Sequence, residues 1–224
     1  MKFRRKAADP GDDLLADEAD DLETADAAAG SSGSSEGDVD NESGAGPYDA
    51  EDLADTDGRV DLGALLLLPV PGTDLQLQVD EPSGQVQSVM FAGPDGALEL
   101  RVFAAPRHGD LWGEVRPQIA ADLAKRGGTA DEREGRFGTE LVCQMPVTLP
   151  DGTAALQPSR VIGINGSRWM LRATVLGKPA VEPEAGGVFE EALATVAVRR
   201  GSHAMPVGDA LTLTLPPDAR RPEG

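Results

Sequence analysis

Two arginines four positions apart, Arg168 and Arg172, stand with Trp169 in the stretch INGSRWMLRATVLG, residues 164–177. A guanidinium presents a rigid fork of N–H donors that matches carboxylate and phosphate oxygens. This pair is therefore the best candidate in the chain for contacting an anionic metabolite, a nucleotide or a partner. Strand geometry sends successive side chains to opposite faces. Trp169, Leu171, Ala173 and Val175 then share one face, and Arg168, Met170, Arg172 and Thr174 the other. The tryptophan belongs to a core, and the arginines face away from it, where Glu99 and Glu140 are acids able to pair with them across strands.

Other chemistry finds little support. His108 and His203 lack the closely spaced partners that metal ligation needs, so no metal site is expected. Cys143 alternates with Leu141 and Met145, which reads as a buried, inert thiol rather than a nucleophile. No glycine-rich phosphate loop precedes a helix, and no GxSxG elbow is present. The densest carboxylates, Asp131, Glu132 and Glu134 in DEREGR and Glu190 and Glu191 in FEEAL, are sequence neighbours that do not converge, as in a solvated face. Asn165-Gly166-Ser167 matches a glycosylation sequon and is read as a turn. No catalytic residue and no cofactor site is assigned. The leading expectation is a non-enzymatic domain that docks a protein partner; binding of an anionic metabolite or nucleotide through Arg168 and Arg172 is the alternative.

The elements that must position these residues are mostly strands. LQLQV places Leu75, Leu77 and Val79 on one face, and VQSVMFA and ALELRVFA flank the turn GPDG at 93–96 as a hairpin, with Leu98, Leu100 and Val102 inward. DLWGEVRPQIAADLAKRGG changes period: Leu111, Val115, Ile119 and Leu123 recur every four residues behind Asp110 as N-cap. Pro117 within it predicts a kink, or a start nearer Arg116. TELVCQMPVTL returns to period 2, with Pro146 marking an edge or a bulge. SRVIGI and RWMLRATV flank Asn165-Gly166, read as a type I′ hairpin turn. A second helix is expected at about 184–197, and ALTLTLP is expected as a closing strand. Hairpins interrupted by two helices predict an α+β domain with an antiparallel or mixed sheet.

Charge divides the chain. Residues 1–58 hold eighteen Asp and Glu against four Lys and Arg, a net of −14, within a formal total of −19. Their lack of apolar bulk predicts a disordered acidic tail, with residues 59–217 as the domain and 218–224 as a C-terminal tail. Within the acidic segment, Leu15, Ala19 and Leu22 have the spacing of a short helix formed on a partner. The opening MKFRRK is followed by AADPGDD, which is not an apolar leader core, so secretion is not expected. LGALLLLPVPG is too short to span a bilayer. A single cysteine fits a reducing cytoplasm, and an acidic fold without a basic stripe disfavours nucleic acid.

The stretches RVDLGALLLLPVPG, LRVFAAPRHGDLWGEV, GRFGTEL and RWMLRATVLG resemble an actinobacterial family of cytoplasmic proteins classed as a domain of unknown function. The resemblance covers about residues 58–217 and implies no established activity, substrate or catalytic residue. It also implies that members are often encoded beside a dUTPase, which points to nucleotide or DNA upkeep. The element order is similar to the PsbP-like fold, whose members mostly bind partners.

Overall fold

The computed structural model of the protein describes residues 46–80 and 84–216. The expected acidic helix, the MKFRRK cluster and the C-terminal tail lie outside the described residues. In chain order the strands and helices are β1 (Tyr48–Asp49), β2 (Val60–Asp61), β3 (Leu65–Leu67), β4 (Asp74–Val79), β5 (Val86–Ala92) and β6 (Gly96–Ala104), then α1 (Leu111–Lys125). They continue with β7 (Thr129–Gly135), β8 (Gly138–Thr148), β9 (Ala154–Gly166), β10 (Trp169–Gly177), α2 (Pro183–Ala194) and β11 (Ala197–Val198). The domain is α+β, as its patterning predicts.

Seven strands form one antiparallel sheet in the order β4-β5-β6-β10-β9-β8-β7. Two meanders, β4–β6 and β7–β10, meet where β6 pairs with β10, and α1 carries the chain from one to the other. Both sheet faces are covered. One face presents Leu75, Leu77, Leu98, Leu100, Trp169 and Leu171 to α2 and to a small sheet ordered β1-β11-β3-β2. The opposite face presents Phe103, Leu141, Cys143, Val161 and Met170 to α1, which contributes Leu111, Trp112 and Val115.

The first helix starts where its cap is strongest. The Asp110 carboxylate accepts a hydrogen bond from the Gly113 amide at 2.7 Å, and the Asn165 amide group donates to the same Asp110 oxygen while its carbonyl accepts from the Trp112 amide. This double tie fixes the start at Leu111, so the expectation of a start nearer Arg116 is corrected. The helix continues to Lys125 with exposed Pro117 inside it, and the backbone acceptor that Pro117 leaves without a helical donor is the carbonyl of Gly113.

The same asparagine displaces the hairpin turn. Gly166 pairs with Trp169, so the two-residue connection is Ser167-Arg168 rather than Asn165-Gly166. Arg168 takes the left-handed backbone, φ 65°. Asn165 is engaged at the helix cap, and Gly166 admits the Trp169 ring, whose atoms lie 2.1 Å from where a Cβ would stand. The Trp169 Nε1–H donates to Asp49 at 2.7 Å.

Two further expectations are corrected. Residues 46–58, assigned by composition to the tail, contain β1, which pairs in parallel with β11 and donates from the Tyr48 amide to the Val196 carbonyl. Residues 210–216 form no strand, only isolated bridges: Ala210 with Phe103, and Leu213 with both Gly63 and Val86. A bulge explains that arrangement. Gln78 pairs with Ser88 but Val79 with Val86, leaving Gln87 unpaired, and β5 parts from β6 after Val89–Leu100. Residues 208–214 cross the opening as a strap, held by Gly208 N–H to Ala104, Ala104 N–H to Asp209, Leu211 N–H to Val102, and Thr214 N–H to Leu62. Serving both edges prevents the segment from running as a regular strand with either.

Candidate functional site: an arginine-floored cleft

The strap, α1 and the sheet enclose a cleft of about 400 Å³. Its floor is the part of β6 and β10 that α1 leaves uncovered. Register places three cross-strand pairs there: Phe103 opposite Met170, Arg101 opposite Arg172, and Glu99 opposite Thr174. Of these, Arg101, Arg172, Phe103, Glu99 and Thr174 line the cleft. Gln118, Ile119, Asp122 and Leu123 of α1, with its C-cap Arg126, form one wall; residues 208–213 of the strap, with Gln85, Val86 and Gln87 at the bulge, form the other.

The two floor arginines converge on one ring. The guanidinium carbon of Arg172 lies 5.4 Å, and that of Arg101 5.8 Å, from the centroid of Phe103, within cation–π range. Like charges directly opposite on an antiparallel pair destabilise a sheet. Here they sit half-buried in a concavity, each within reach of the same aromatic ring.

The structure separates the two arginines singled out in the sequence. Arg172 lies on the floor, whereas Arg168 is in the hairpin turn, where its carbonyl accepts from the Arg200 side chain and the Ala105 amide. Arg168 does not line the cleft; its place beside Arg172 is taken by Arg101, from a strand distant in sequence. Glu99 does share the cleft with Arg172, but Glu140 is committed elsewhere. It is buried on the opposite sheet face, where Arg160 donates to both its oxygens, at 3.1 and 2.8 Å, and to Glu190 of α2 at 2.8 Å; Arg133 donates to Glu140 as well. Burial alone would push the Arg160 guanidinium down, but hydrogen bonds to Glu140 and Glu190 outweigh it and raise it above its ordinary value.

Glu190 is thus part of a buried ion cluster rather than a solvated face, and Glu191 pairs with Arg136. In DEREGR, Glu132 pairs with Arg116, and Glu134 accepts from Thr139. Cys143 is buried, and burial pushes its thiol up to about 11. Among the described residues no group of three His, Cys, Asp or Glu could hold a metal ion, and His108 and His203 are exposed. No helix among the described residues is long and apolar enough to cross a membrane.

The sequence model of a family described as "Protein of unknown function (DUF3710)" matches residues 46–222. The chain belongs to this family. The match begins before β1, in agreement with the inclusion of residues 46–58 in the fold. No curated protein matches. Among solved structures, a crystal structure of a protein from Bacteroides thetaiotaomicron is similar at 15% identity with a TM-score of 0.32, covering 65% of this chain and 52% of that one. The chain thus spans about half the length of that protein.

Proposed function

We propose that this member of the family is a non-catalytic binding protein that holds a small anionic ligand between α1, the β6–β10 floor and the strap. The observation that carries the reading is the Arg101–Arg172 pair, opposite one another over Phe103 inside a concavity. A concavity with a few convergent polar groups suits a small ligand, and an anion between two guanidinium forks can receive N–H donors from both. The burial of Cys143 and the dispersal of the histidines support a binding role over a catalytic one.

A panel of small anions screened by thermal unfolding tests this. A ligand at a hundred times its Kd adds about 2.7 kcal/mol, or roughly 5–11 °C for a domain of this size. Arg172→Gln should abolish the shift. Absence of any shift across the panel would remove the proposal's support.

One observation favours a second reading, a domain that docks a protein partner. Pairing of β7 with β8 stops at Gln144, and pairing of β10 with β9 stops at Ser159. Residues 145–158 therefore project as a two-stranded arm with Leu149 and Leu156 exposed. Cross-linking in native lysate should give a defined product that Leu156→Glu eliminates; a product indifferent to that substitution would count against the arm. On either reading we take the cytoplasm as the working compartment, where the Cys143 thiol would stay reduced.

A further inference from the structure

We infer that the ligand of this cleft is a monocarboxylate with an apolar body, and not a nucleotide or other polyanion. The inference rests on the cleft reading above and adds the chemical class. Three features of the lining carry it.

The first is charge balance. Arg101, Arg126 and Arg172 line the cleft together with Glu99, Asp122 and Asp209. Equal numbers of fixed charges leave a wall of no net sign. One negative head can sit between Arg101 and Arg172 and receive N–H donors from both forks. Further phosphates along the same ligand would meet the carboxylates of Asp122 and Asp209.

The second is the direction of α1. Residues 118–126, its C-terminal half and C-cap, form the wall. Phosphate-binding sites on helices use the N-terminus, where unpaired N–H groups and the positive end of the dipole face the ligand. Here the negative end approaches the cleft, so the helix supplies neither.

The third is the apolar surface beside the charged pair. Ile119 and Leu123 on α1 and Val161 on β9 form an apolar flank, whereas Val86, Leu211 and Leu213 of the opposite wall are buried in the core of the other sheet face. An apolar flank with a few convergent polar groups and a volume of about 400 Å³ suits a compact small molecule. The carboxylate is held over Phe103 by the two guanidiniums, and the hydrocarbon or aryl body lies along the apolar flank of Ile119, Leu123 and Val161.

The full chain is titrated calorimetrically with octanoate, 3-phenylpropionate, octanol, inorganic phosphate and ADP. At least one carboxylate should bind with one-to-one stoichiometry, octanol at least tenfold more weakly, and phosphate and ADP not at all. Arg101→Gln and Arg172→Gln should each weaken the carboxylate tenfold or more while leaving octanol unchanged, which separates a lost head-group contact from a damaged fold. In the unmodified chain, the Nε–H NMR signals of Arg101 and Arg172 should shift on adding the carboxylate. Binding of ADP or phosphate that depends on Arg172 would overturn the monocarboxylate class while leaving an anion-binding cleft in place. Binding of no probe would overturn both.

Discussion

Replacing Arg160 by methionine tests how the sheet holds α2. Glu140 and Arg160 are 1% and 4% exposed, and the arginine donates three hydrogen bonds, two to Glu140 and one to Glu190. Methionine keeps much of the apolar stem and removes all three. Glu140 would then be a buried carboxylate with Arg133, itself half exposed, as its remaining ion-pair partner. Breaking a buried pair from one side costs about 3–5 kcal/mol, because the surviving charge stays desolvated. The retained Arg133 puts the expectation at the lower end, about 3 kcal/mol, or roughly 6–12 °C in Tm for a domain of this size. Urea unfolding followed by fluorescence of the buried Trp112 and Trp169 measures it without adding salt. Glu140→Leu combined with Arg160→Met should recover most of the loss, since apolar replacement of both partners avoids the stranded charge. A single variant within 0.5 kcal/mol of the parent, or a double variant as damaged as the sum of the singles, would refute the reasoning.

Three other outcomes follow from the packing. The Cys143 thiol, raised to about 11 by burial, should resist a disulfide reagent at pH 8 in the native protein and react fully in urea; rapid native labelling would contradict the burial. Gly163→Ala places a Cβ 2.0 Å from the Trp112 ring, an overpacking that should cost about 1–3 kcal/mol in the same urea assay and blue- or red-shift Trp112 emission; an unchanged midpoint would disprove the contact. Burial raises the Asp49 carboxyl above 3.8, against the lowering effect of the Trp169 hydrogen bond. A raised folded value means that the stability Asp49 contributes is full below about pH 3.8 and is lost as pH rises through the folded value. Asp49→Asn should lack that loss, so its stability relative to the parent should grow from pH 3 to pH 7; a flat difference would show that the carboxyl is not perturbed.

Much of the fold is legible in the sequence because one face of each strand is buried and the other is not. Leu75, Leu77 and Val79, or Trp169, Leu171 and Ala173, carry period 2 plainly, and parity alone separates Trp169 from Arg172. Asp110 and the four-residue spacing of Leu111, Val115 and Ile119 mark α1. What is not legible depends on neighbours remote along the chain. Asn165-Gly166 has ideal turn chemistry, yet Asn165 is recruited by the cap of a helix more than fifty positions earlier. The closing leucines alternate like a strand, but only a bulge at Gln87 decides that they bridge two edges. Arg172 is recognisable as an anion-binding candidate, whereas its partner Arg101 emerges only from the β6–β10 register. Arg160 before VIGI and Glu140 before LVC carried a usable signal: each is a charged residue adjoining an apolar strand run, where burial would demand a partner.

The strap also bears on when the cleft comes into existence. Val102 and Ala104 gain their second set of backbone partners from residues 208–211, after every strand of the large sheet in chain order. Contacts that close so long a loop pay their entropy before they return any energy and form late on the folding path. The β4–β6 and β7–β10 meanders can assemble first, leaving the arginine floor open to water on one side. A ligand that needs both walls has nothing to grip at that stage. Its stabilisation should therefore appear as slower unfolding with folding rates unchanged, making occupancy of this cleft a determinant of how long the native state lasts rather than of how fast it is reached.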